Sequence, residues 1–389
     1  MYKTVRAYQP KIPQNVLDLV RSLNGEIGSK KSMPFYRWHH ISQVGKCVLF
    51  ASDIQLEYLA KVTVASVDAT FKVVPPSPND FYQMLIICGK YAGHFQPMAY
   101  ILMSNKSYLL YQIVFEAIKA ICPLFNPQVM LLDFETGLLK STIHCFPRSS
   151  VHGCWFHFVQ SIYRKISKEG MIKLYKSNDV FRSFCKRLFC LPLLPARLIL
   201  SAFNSLKNEV QGHTLIEKFE IITLYVENYW IGSVGVETFS VNGNSSRTNN
   251  GQESINSRLK SKIGIHPNFW VFLKLLKEFT NSMEYDLGRL DRGLKISRPK
   301  KLETVERNGE IIFANDRLSR NEIDEHQFIR MVSHTPDYYF DEEIMLNDVD
   351  GESDTLSNGS NYNKFAQNVI LSFLIYSNTD FKCFLLIEL

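Results

Sequence analysis

The sequence lacks the features that mark secreted, disulfide-rich and repeat proteins. Its eight cysteines include no C-x-x-C pair and are scattered over positions 47, 88, 122, 145, 154, 185, 190 and 383. This spacing favours reduced, mostly buried thiols of a cytosolic or nuclear protein over a disulfide framework. Residues 1–15 are polar and basic, without the apolar segment of a signal peptide, and no internal repeat is visible. We therefore expect an intracellular protein.

Long apolar runs and a dominant charge are also missing. The most apolar part of the tail, residues 365–379, contains Gln367 and Asn368 and is short for a membrane span of about 20 residues. We expect a soluble protein with no membrane partner. The 44 Lys and Arg residues against 38 Asp and Glu residues give a net charge of +6. Such mild basicity is compatible with a nucleic-acid partner but does not establish one.

What the sequence does contain, over residues 61–153, is the pattern of a folded α/β core. Apolar residues alternate with small or polar ones over 61–71, as in a strand with one face in a core. A proline-rich turn leads to apolar stretches that predict two further strands, at 81–88 and 96–103, and short turns indicate an antiparallel meander. The patterns then predict a helix, a buried strand, a helix and a short strand over 108–121, 128–132, 136–146 and 149–152.

Composition shifts divide the rest of the chain. We expect a helical lead-in over residues 1–60, followed by the first part of the core over 61–155. Residues 156–242 have almost no strand signal and predict a helical insertion. Residues 243–295 predict a polar loop, a helix that carries an acidic residue and a packing helix. A polar linker and C-terminal tail are expected over residues 296–389.

Three acidic residues stand at notable places in this pattern. Asp68 closes the first predicted core strand, Asp133 follows the fourth, and Glu253 lies on a later helix. A single strand-terminal aspartate is most often a turn former or a helix cap. The order of the elements, however, is that of the ribonuclease-H-like fold, in which the first and fourth strands lie side by side. We therefore expect a ribonuclease-H-like mixed sheet with a helical insertion before the last catalytic helix.

Three carboxylates gathered at one sheet end predict a metal site. They repel each other unless a cation lies between them. Two Mg²⁺ (or Mn²⁺) ions would serve, one activating the attacking hydroxyl and the other stabilising the leaving oxygen of a phosphodiester. We expect catalytic and metal-binding roles for Asp68, Asp133 and Glu253. The alternative is a soluble structural or interaction domain with buried capping acids, and it predicts that the three carboxylates lie far apart.

Three blocks of the sequence resemble those of MULE (Mutator-like element) transposases, in particular the animal type that often carries a FLYWCH zinc finger. The blocks are VDATFK, LLDFETG with FPRSSVHGCWFH, and RTNNGQESINSRL, which span residues 67–72, 131–157 and 247–259. The resemblance implies a ribonuclease-H-like catalytic domain with a DDE active site. Such a site cuts DNA at the element ends and joins the freed 3′-hydroxyl to target DNA. Asp68, Asp133 and Glu253 match its three acids.

The third block also carries residues that we expect to bind DNA. Arg247, Asn249 and Asn250 match the R-x-N-N sequence that leads into the last helix of the family. An arginine forms a fork for phosphate, and a helix N-terminus favours an anion, so both suit a DNA backbone together with Arg258 on the same helix. Plain helix capping by the two asparagines is an equal alternative.

The resemblance includes a C-x-x-H motif, formed by Cys154 and His157. Two ligands do not make a structural zinc site, which needs four, and no partner pair has the required spacing. We therefore expect a packing or DNA-proximal structural role for this motif and regard zinc as an unlikely cofactor.

The residues and the resemblance together predict a DDE-type transposase, a metal-dependent DNA nuclease and strand transferase. The alternative is a catalytically inactive, transposase-derived DNA-binding or regulatory protein. The expected partners are the element's terminal repeats and target DNA, both double-stranded, and a second copy of the chain, since transposases handle both ends together. We expect a nuclear protein, with KISRPKK at 295–301 as an import patch. No zinc-finger pattern precedes the domain, so we expect the module that selects the element ends to be missing.

Overall fold

The structure is a computed structural model, and it describes residues 11–26, 35–244, 247, 250–296 and 302–336. The predicted C-terminal tail, Asn249 and most of the basic patch at 295–301 lie outside these residues. None of the helices in the described ranges is both long enough and apolar enough to cross a lipid bilayer.

A seven-stranded mixed sheet, mostly antiparallel, forms the centre of the fold. Its strands lie in the order β1-β2-β5-β4-β3-β6-β7. All neighbours pair antiparallel except β3 with β6 and β6 with β7, which are parallel. The strands are β1 (Tyr36–Ile41), β2 (Lys46–Phe50), β3 (Val64–Thr70), β4 (Gln83–Tyr91), β5 (His94–Met103), β6 (Val129–Leu132) and β7 (Ser150–Gly153).

The order of elements predicted for residues 61–153 is confirmed. Strands β3, β4 and β5 form the antiparallel meander, and α3 (Tyr108–Ile121) and α4 (Thr136–Cys145) flank β6 along the chain. The side chain of Ser107 accepts a hydrogen bond from the backbone N–H of Leu110 and so caps the start of α3. The expected side-by-side placement of the first and fourth core strands is also confirmed, because β3 pairs with β6.

Helices cover both faces of the sheet. One face packs against α2 (Asp53–Leu59), α3 and α4. The other packs against α1 (Val16–Glu26), α11 (Asn250–Ile263) and α12 (Phe269–Asp291). Within β3, Ala65 and Val67 belong to the first of these cores. Since side chains alternate along a strand, Asp68 is on the side of α11.

The prediction of a helical lead-in over residues 1–60 needs correction. This part of the chain contains α1 and α2, but also β1 and β2, which extend the sheet through the pairing of β2 with β5. In β2 the side chains from Cys47 to Phe50 are all fully buried, on both faces of the sheet. A short strand buried on both faces shows no alternation, and periodicity alone does not distinguish its apolar run from part of a buried helix.

Beyond β7 the chain is helical throughout the described residues. The region contains α5 (Trp155–Lys168), α6 (Ile172–Ser177), α7 (Asp179–Phe189), a 3₁₀ turn (Leu191–Leu193), α8 (Ala196–Glu209), α9 (Ile216–Tyr225), a π-helix (Val226–Val234) and α10 (Val236–Phe239). These elements share one apolar core, whose largest fully buried side chains include Trp155 and Trp230. The helical character expected for residues 156–242 is therefore what the structure shows.

The predicted polar linker over residues 296–389 needs a second correction. It contains α13 (Leu302–Ser319) and α14 (Glu325–Val332), which pack into the core of the helical region through Ile311, Phe328 and neighbouring apolar side chains. Asp324 and Gln327 form a capping box at the start of α14. The two helices follow a polar, basic segment, and α14 has only eight residues, which is short for a helix to be predicted from its periodicity.

Candidate active site

The register of the parallel strands brings Asp68 and Asp133 together. Val67 lies opposite Leu132 in the β3–β6 pair. The residue that follows each of them, Asp68 and Asp133, is an aspartate. Asp68 is still within β3 and is only 7% exposed, while Asp133 follows the last residue of β6. The two carboxyl groups are close enough for each to affect the pKa of the other. The alternative that keeps the three acids far apart therefore disagrees with the structure for this pair.

The two aspartates differ in their affinity for a proton. Burial raises the pKa of Asp68 well above its usual value, and the negative charge of Asp133 raises it further. Burial also acts to raise the pKa of Asp133, but the nearby imidazole of His157 outweighs it and lowers that pKa. Of the two, Asp68 is therefore the carboxyl group that is harder to ionise.

His157 enters the site from the start of α5. This helix begins directly after β7, the parallel neighbour of β6, with Cys154 at its N-cap. The Nδ1 atom of His157 lies 2.7 Å from Oδ1 of Asp133, a close ion pair that is not aligned as a linear hydrogen bond. Burial acts to lower the pKa of His157, but the negative charge of Asp133 and the contacts with Asp133 and Cys154 raise it well above its usual value. The pair with Asp133 therefore favours the cationic form of His157.

Gly153, at the end of β7, allows a close approach to the segment that follows β6. A Cβ atom at Gly153 would lie only 1.9 Å from Cζ of Phe134, the residue after Asp133, so no other residue fits without movement of that ring. The ring of Phe134 also packs edge-on against the buried indole of Trp230, with centroids 4.4 Å apart. The chain segment that carries Asp133 is thus fixed between β7 and the π-helix.

Glu253 reaches the site on the first turn of α11. Ile255, Leu259 and Ile263 are buried against the sheet, and Nε2 of Gln252 donates to the backbone oxygen of Ile86 at 3.0 Å. This packing fixes the helix over the sheet. Burial raises the pKa of Glu253, and the charge of Asp133 acts in the same direction.

Asn256, one turn beyond Glu253, contacts the other side of the acidic pair. Its Nδ2 atom donates to Oδ2 of Asp68 at 2.8 Å. Residues three apart share a face of a helix, so Glu253 and Asn256 approach the sheet end together. The Oε1 atom of Glu253 is buried and has no hydrogen-bond partner among the described residues. Glu253 is thus close enough to Asp133 and His157 for their charges to affect its pKa, and Asn256 on the same helix contacts Asp68.

The acids are chemically suited to a hard divalent cation, although the described residues do not form a complete metal site. Among the described residues, no group of three or more His, Cys, Asp and Glu side chains is arranged to hold a metal ion. The donors are nevertheless carboxylate oxygens, the ligands that Mg²⁺ takes in proteins. The raised pKa values of Asp68 and Glu253 show that the site resists negative charge, and the orphaned Oε1 of Glu253 lacks a partner. Both features fit a site that a cation would complete.

The residues predicted to bind DNA do not form one cluster among the described side chains. The Nη1 atom of Arg247 donates to Oδ1 of Asn308 on α13 at 3.0 Å, and its backbone oxygen accepts from the N–H of Trp155. The side chain of Asn250 is not among the described ones. Arg258 is exposed on α11, with Nη2 3.7 Å from Oδ2 of Asp286. These contacts of the two arginines are thus with Asn308, Trp155 and Asp286 and not with the three acids.

The two residues of the C-x-x-H motif have different surroundings: Cys154 lies in the apolar core and His157 lies beside Asp133. Cys154 is 2% exposed and belongs to the apolar core of the helical region, where it also contacts His157. Nothing in the sequence indicates that His157 pairs with Asp133, and Asn256 is not among the predicted site residues. Only Asn256 could have been predicted, because it lies one helical turn from Glu253 and therefore on the same face of the helix. Lys106, whose positive charge also lowers the pKa of Asp133, had no sequence signal.

Comparison with known families bears on the part of the chain that carries the two aspartates. Residues 64–161 match the family model of the MULE transposase domain. The matched segment runs from β3 into α5 and includes Asp68, Asp133 and His157, whereas Glu253 lies beyond it. The resemblance inferred from the sequence is therefore confirmed for this segment, and it points to a transposase-related function with DNA as the partner. The narrower likeness to the FLYWCH-associated animal type stays a prediction. No curated protein matches the chain.

Proposed function

We propose that this chain is a DDE-type transposase that hydrolyses DNA phosphodiester bonds with Mg²⁺ (or Mn²⁺) and transfers the freed strand to target DNA. The observation that carries the proposal is the β3–β6 register, which puts Asp68 and Asp133 side by side at the end where Glu253 arrives. In the proposed role, the chain acts in the nucleus on the element's terminal repeats and on target DNA. A homo-oligomer would handle both ends together.

The topology supports a ribonuclease-H-like assignment for the core. Read from one edge, the strands β5-β4-β3-β6-β7 combine an antiparallel meander with two parallel additions, and helices cover both faces. In such an arrangement the strands that pair in parallel end together, and residues at those ends share one rim of the sheet. Asp68 and Asp133 are at this rim, as the proposed fold requires.

Each residue of the site has a role in the proposed reaction. Asp68, Asp133 and Glu253 would hold two divalent ions, which when bound would supply an activated attacking hydroxyl and a stabilised leaving oxygen. His157 keeps the carboxylate of Asp133 ionised and fixes its direction. Asn256 orients Asp68 by donating to Oδ2. Side chains that fix the carboxylates in this way reduce the cost of gathering them around a cation.

A second candidate function is a catalytically inactive, transposase-derived DNA-binding or regulatory protein. The ion pair between His157 and Asp133 favours it, because that pair already neutralises one of the three acids. Both candidates predict retention of DNA, and they differ in cleavage alone.

The test is a cleavage assay on duplex DNA that carries the element's terminal repeats. We expect strand cleavage in Mg²⁺ or Mn²⁺, and no cleavage in EDTA, because the acids need cations to act on a phosphodiester. Cleavage products would be resolved on denaturing gels, and DNA retention would be measured in parallel by gel shift. Retention without cleavage in either metal would contradict the transposase proposal and support the inactive derivative.

A further inference from the structure

An aromatic pair stands at the same end of the sheet as the acids. Phe71 follows the last residue of β3, three positions after Asp68, and Tyr82 precedes the first residue of β4. Because β3 and β4 are antiparallel neighbours, these two positions meet at one rim. The rings pack edge to face with centroids 5.2 Å apart and an interplanar angle of 67°. Tyr82 is 49% exposed, so part of its ring is available to a ligand.

Lys106 joins this aromatic pair to the acids. Its Nζ atom lies 4.6 Å from the ring centroid of Phe71 and 5.9 Å from that of Tyr82. The same atom lies 3.3 Å from Oε2 of Glu135, and the lysine charge lowers the pKa of Asp133. The lysine side chain keeps about a fifth of its surface exposed, at 22%. A positive charge and an open aromatic face therefore stand together beside the candidate active site.

The surrounding contacts fix this arrangement. Gly137 allows the start of α4 to approach the loop of Lys106, because a Cβ atom there would lie 2.7 Å from the backbone oxygen of Lys106. The backbone N–H of Tyr82 donates to the oxygen of Met103 at 2.8 Å. The next residue, Gln83, donates from Nε2 to the hydroxyl of Tyr111 at 2.8 Å. A binding surface on such a frame is preorganised.

We propose that Tyr82, Phe71 and Lys106 form a subsite for an unpaired nucleotide of a DNA strand. A nucleobase would stack on the exposed ring of Tyr82, and a phosphate of the same strand would face Lys106. Aromatic stacking is open to bases of unpaired strands, whereas bases within a duplex are already stacked on each other. The inference rests on the proposed function in one respect: the strand held here is the one whose phosphodiester meets the acids.

The experiment measures binding of a fluorescein-labelled oligothymidylate to the full chain by anisotropy, in EDTA so that no cleavage occurs. Tyr82→Leu keeps an apolar side chain but removes the aromatic face, and we expect it to raise the dissociation constant about tenfold. Tyr82→Phe keeps the stacking surface and should bind as the parent does. Tyr285→Leu is the matched control, because Tyr285 is 64% exposed on α12 and lies outside the subsite.

The same oligonucleotide annealed to its complement serves as the second ligand. Its affinity should be unchanged by Tyr82→Leu, because its bases are already stacked. Equal losses for both ligands, equal losses in Tyr285→Leu, or no loss in Tyr82→Leu would overturn the subsite. If Tyr82→Leu loses affinity only for the single strand and the parent protein does not cleave DNA, the subsite stands and the proposed activity is rejected. If cleavage requires Glu253 but single-strand binding is unchanged in Tyr82→Leu, the proposed activity stands and the subsite is rejected.

Discussion

Replacing Glu253 with glutamine is expected to lower the rate of Mg²⁺-dependent DNA cleavage by at least about 100-fold. Glutamine keeps the length of the side chain and the packing of α11 but removes the negative charge that a divalent cation requires. The folded state should tolerate the change, since burial already raises the pKa of Glu253 and its Oε1 atom has no hydrogen-bond partner. Initial rates on terminal-repeat DNA, with a melting curve for each protein, measure the effect.

Glu217→Gln is the matched control for this substitution. Glu217 is also a glutamate in the first turn of a helix, α9, but it is exposed and belongs to the helical region. Its replacement should leave the cleavage rate unchanged. Equal rates for Glu253→Gln and the parent protein, at equal protein concentration and metal, would show that Glu253 has no part in the chemistry.

Replacing His157 with alanine is expected to destabilise the fold by about 3 kcal/mol. The substitution leaves the carboxylate of Asp133 largely buried beside Asp68 with its closest cation removed, and an unpaired buried charge is costly. Chemical denaturation at pH 6 measures the change. His334→Ala is the control, because His334 forms a pair of the same length, 2.7 Å, with Glu310, but both side chains are about half exposed. That surface pair should contribute no more than about 1 kcal/mol.

The effect of His157→Ala should depend on pH in a defined direction. The pKa of His157 is raised on folding, so its contribution is complete below about pH 6.5, the unfolded value, and is lost as the pH rises through the folded value. The pKa of Asp133 is lowered, so its contribution is present above about pH 4 and is lost at lower pH. The stability difference should therefore be largest between about pH 4 and 6.5 and should narrow towards pH 9. A stability difference between the parent protein and His157→Ala that grows with pH would contradict the claim that His157 and Asp133 form an ion pair.

Much of the core could be predicted from the sequence because its signals are local. The strands of the meander and the helix after it are bounded by turns and caps such as Ser107, and the two aspartates mark strand ends. Strands β1 and β2 could not be found in this way. The side chains of β2 are buried on both faces, and β1 is rich in aromatic and basic residues that are also common in surface loops. Their place in the sheet depends on pairing with β5, a contact between distant parts of the chain.

The same limit applies to the candidate site. The sequence could name Asp68, Asp133 and Glu253, since each residue occupies a definite position in a periodic pattern. It could not reveal that His157 would pair with Asp133, because that contact depends on the parallel pairing of β6 and β7. The role of Lys106 beside Glu135 depends likewise on the close approach of two loops. Contacts of this kind depend on which strands pair with each other, and these pairs join segments that are distant along the chain.

The most direct test of the acidic cluster is thermal melting of the parent protein and of Asp68→Asn, each in EDTA and in excess Mg²⁺. In EDTA, Asp68→Asn should melt at least about 2 °C higher, because asparagine is neutral at a buried position where the charge of Asp133 disfavours a second carboxylate. Mg²⁺ at about 100 times its dissociation constant should raise the melting temperature of the parent by about 5 °C and leave Asp68→Asn unchanged. Equal melting temperatures of the parent protein with and without the metal would contradict the claim that these carboxylates form a cation site.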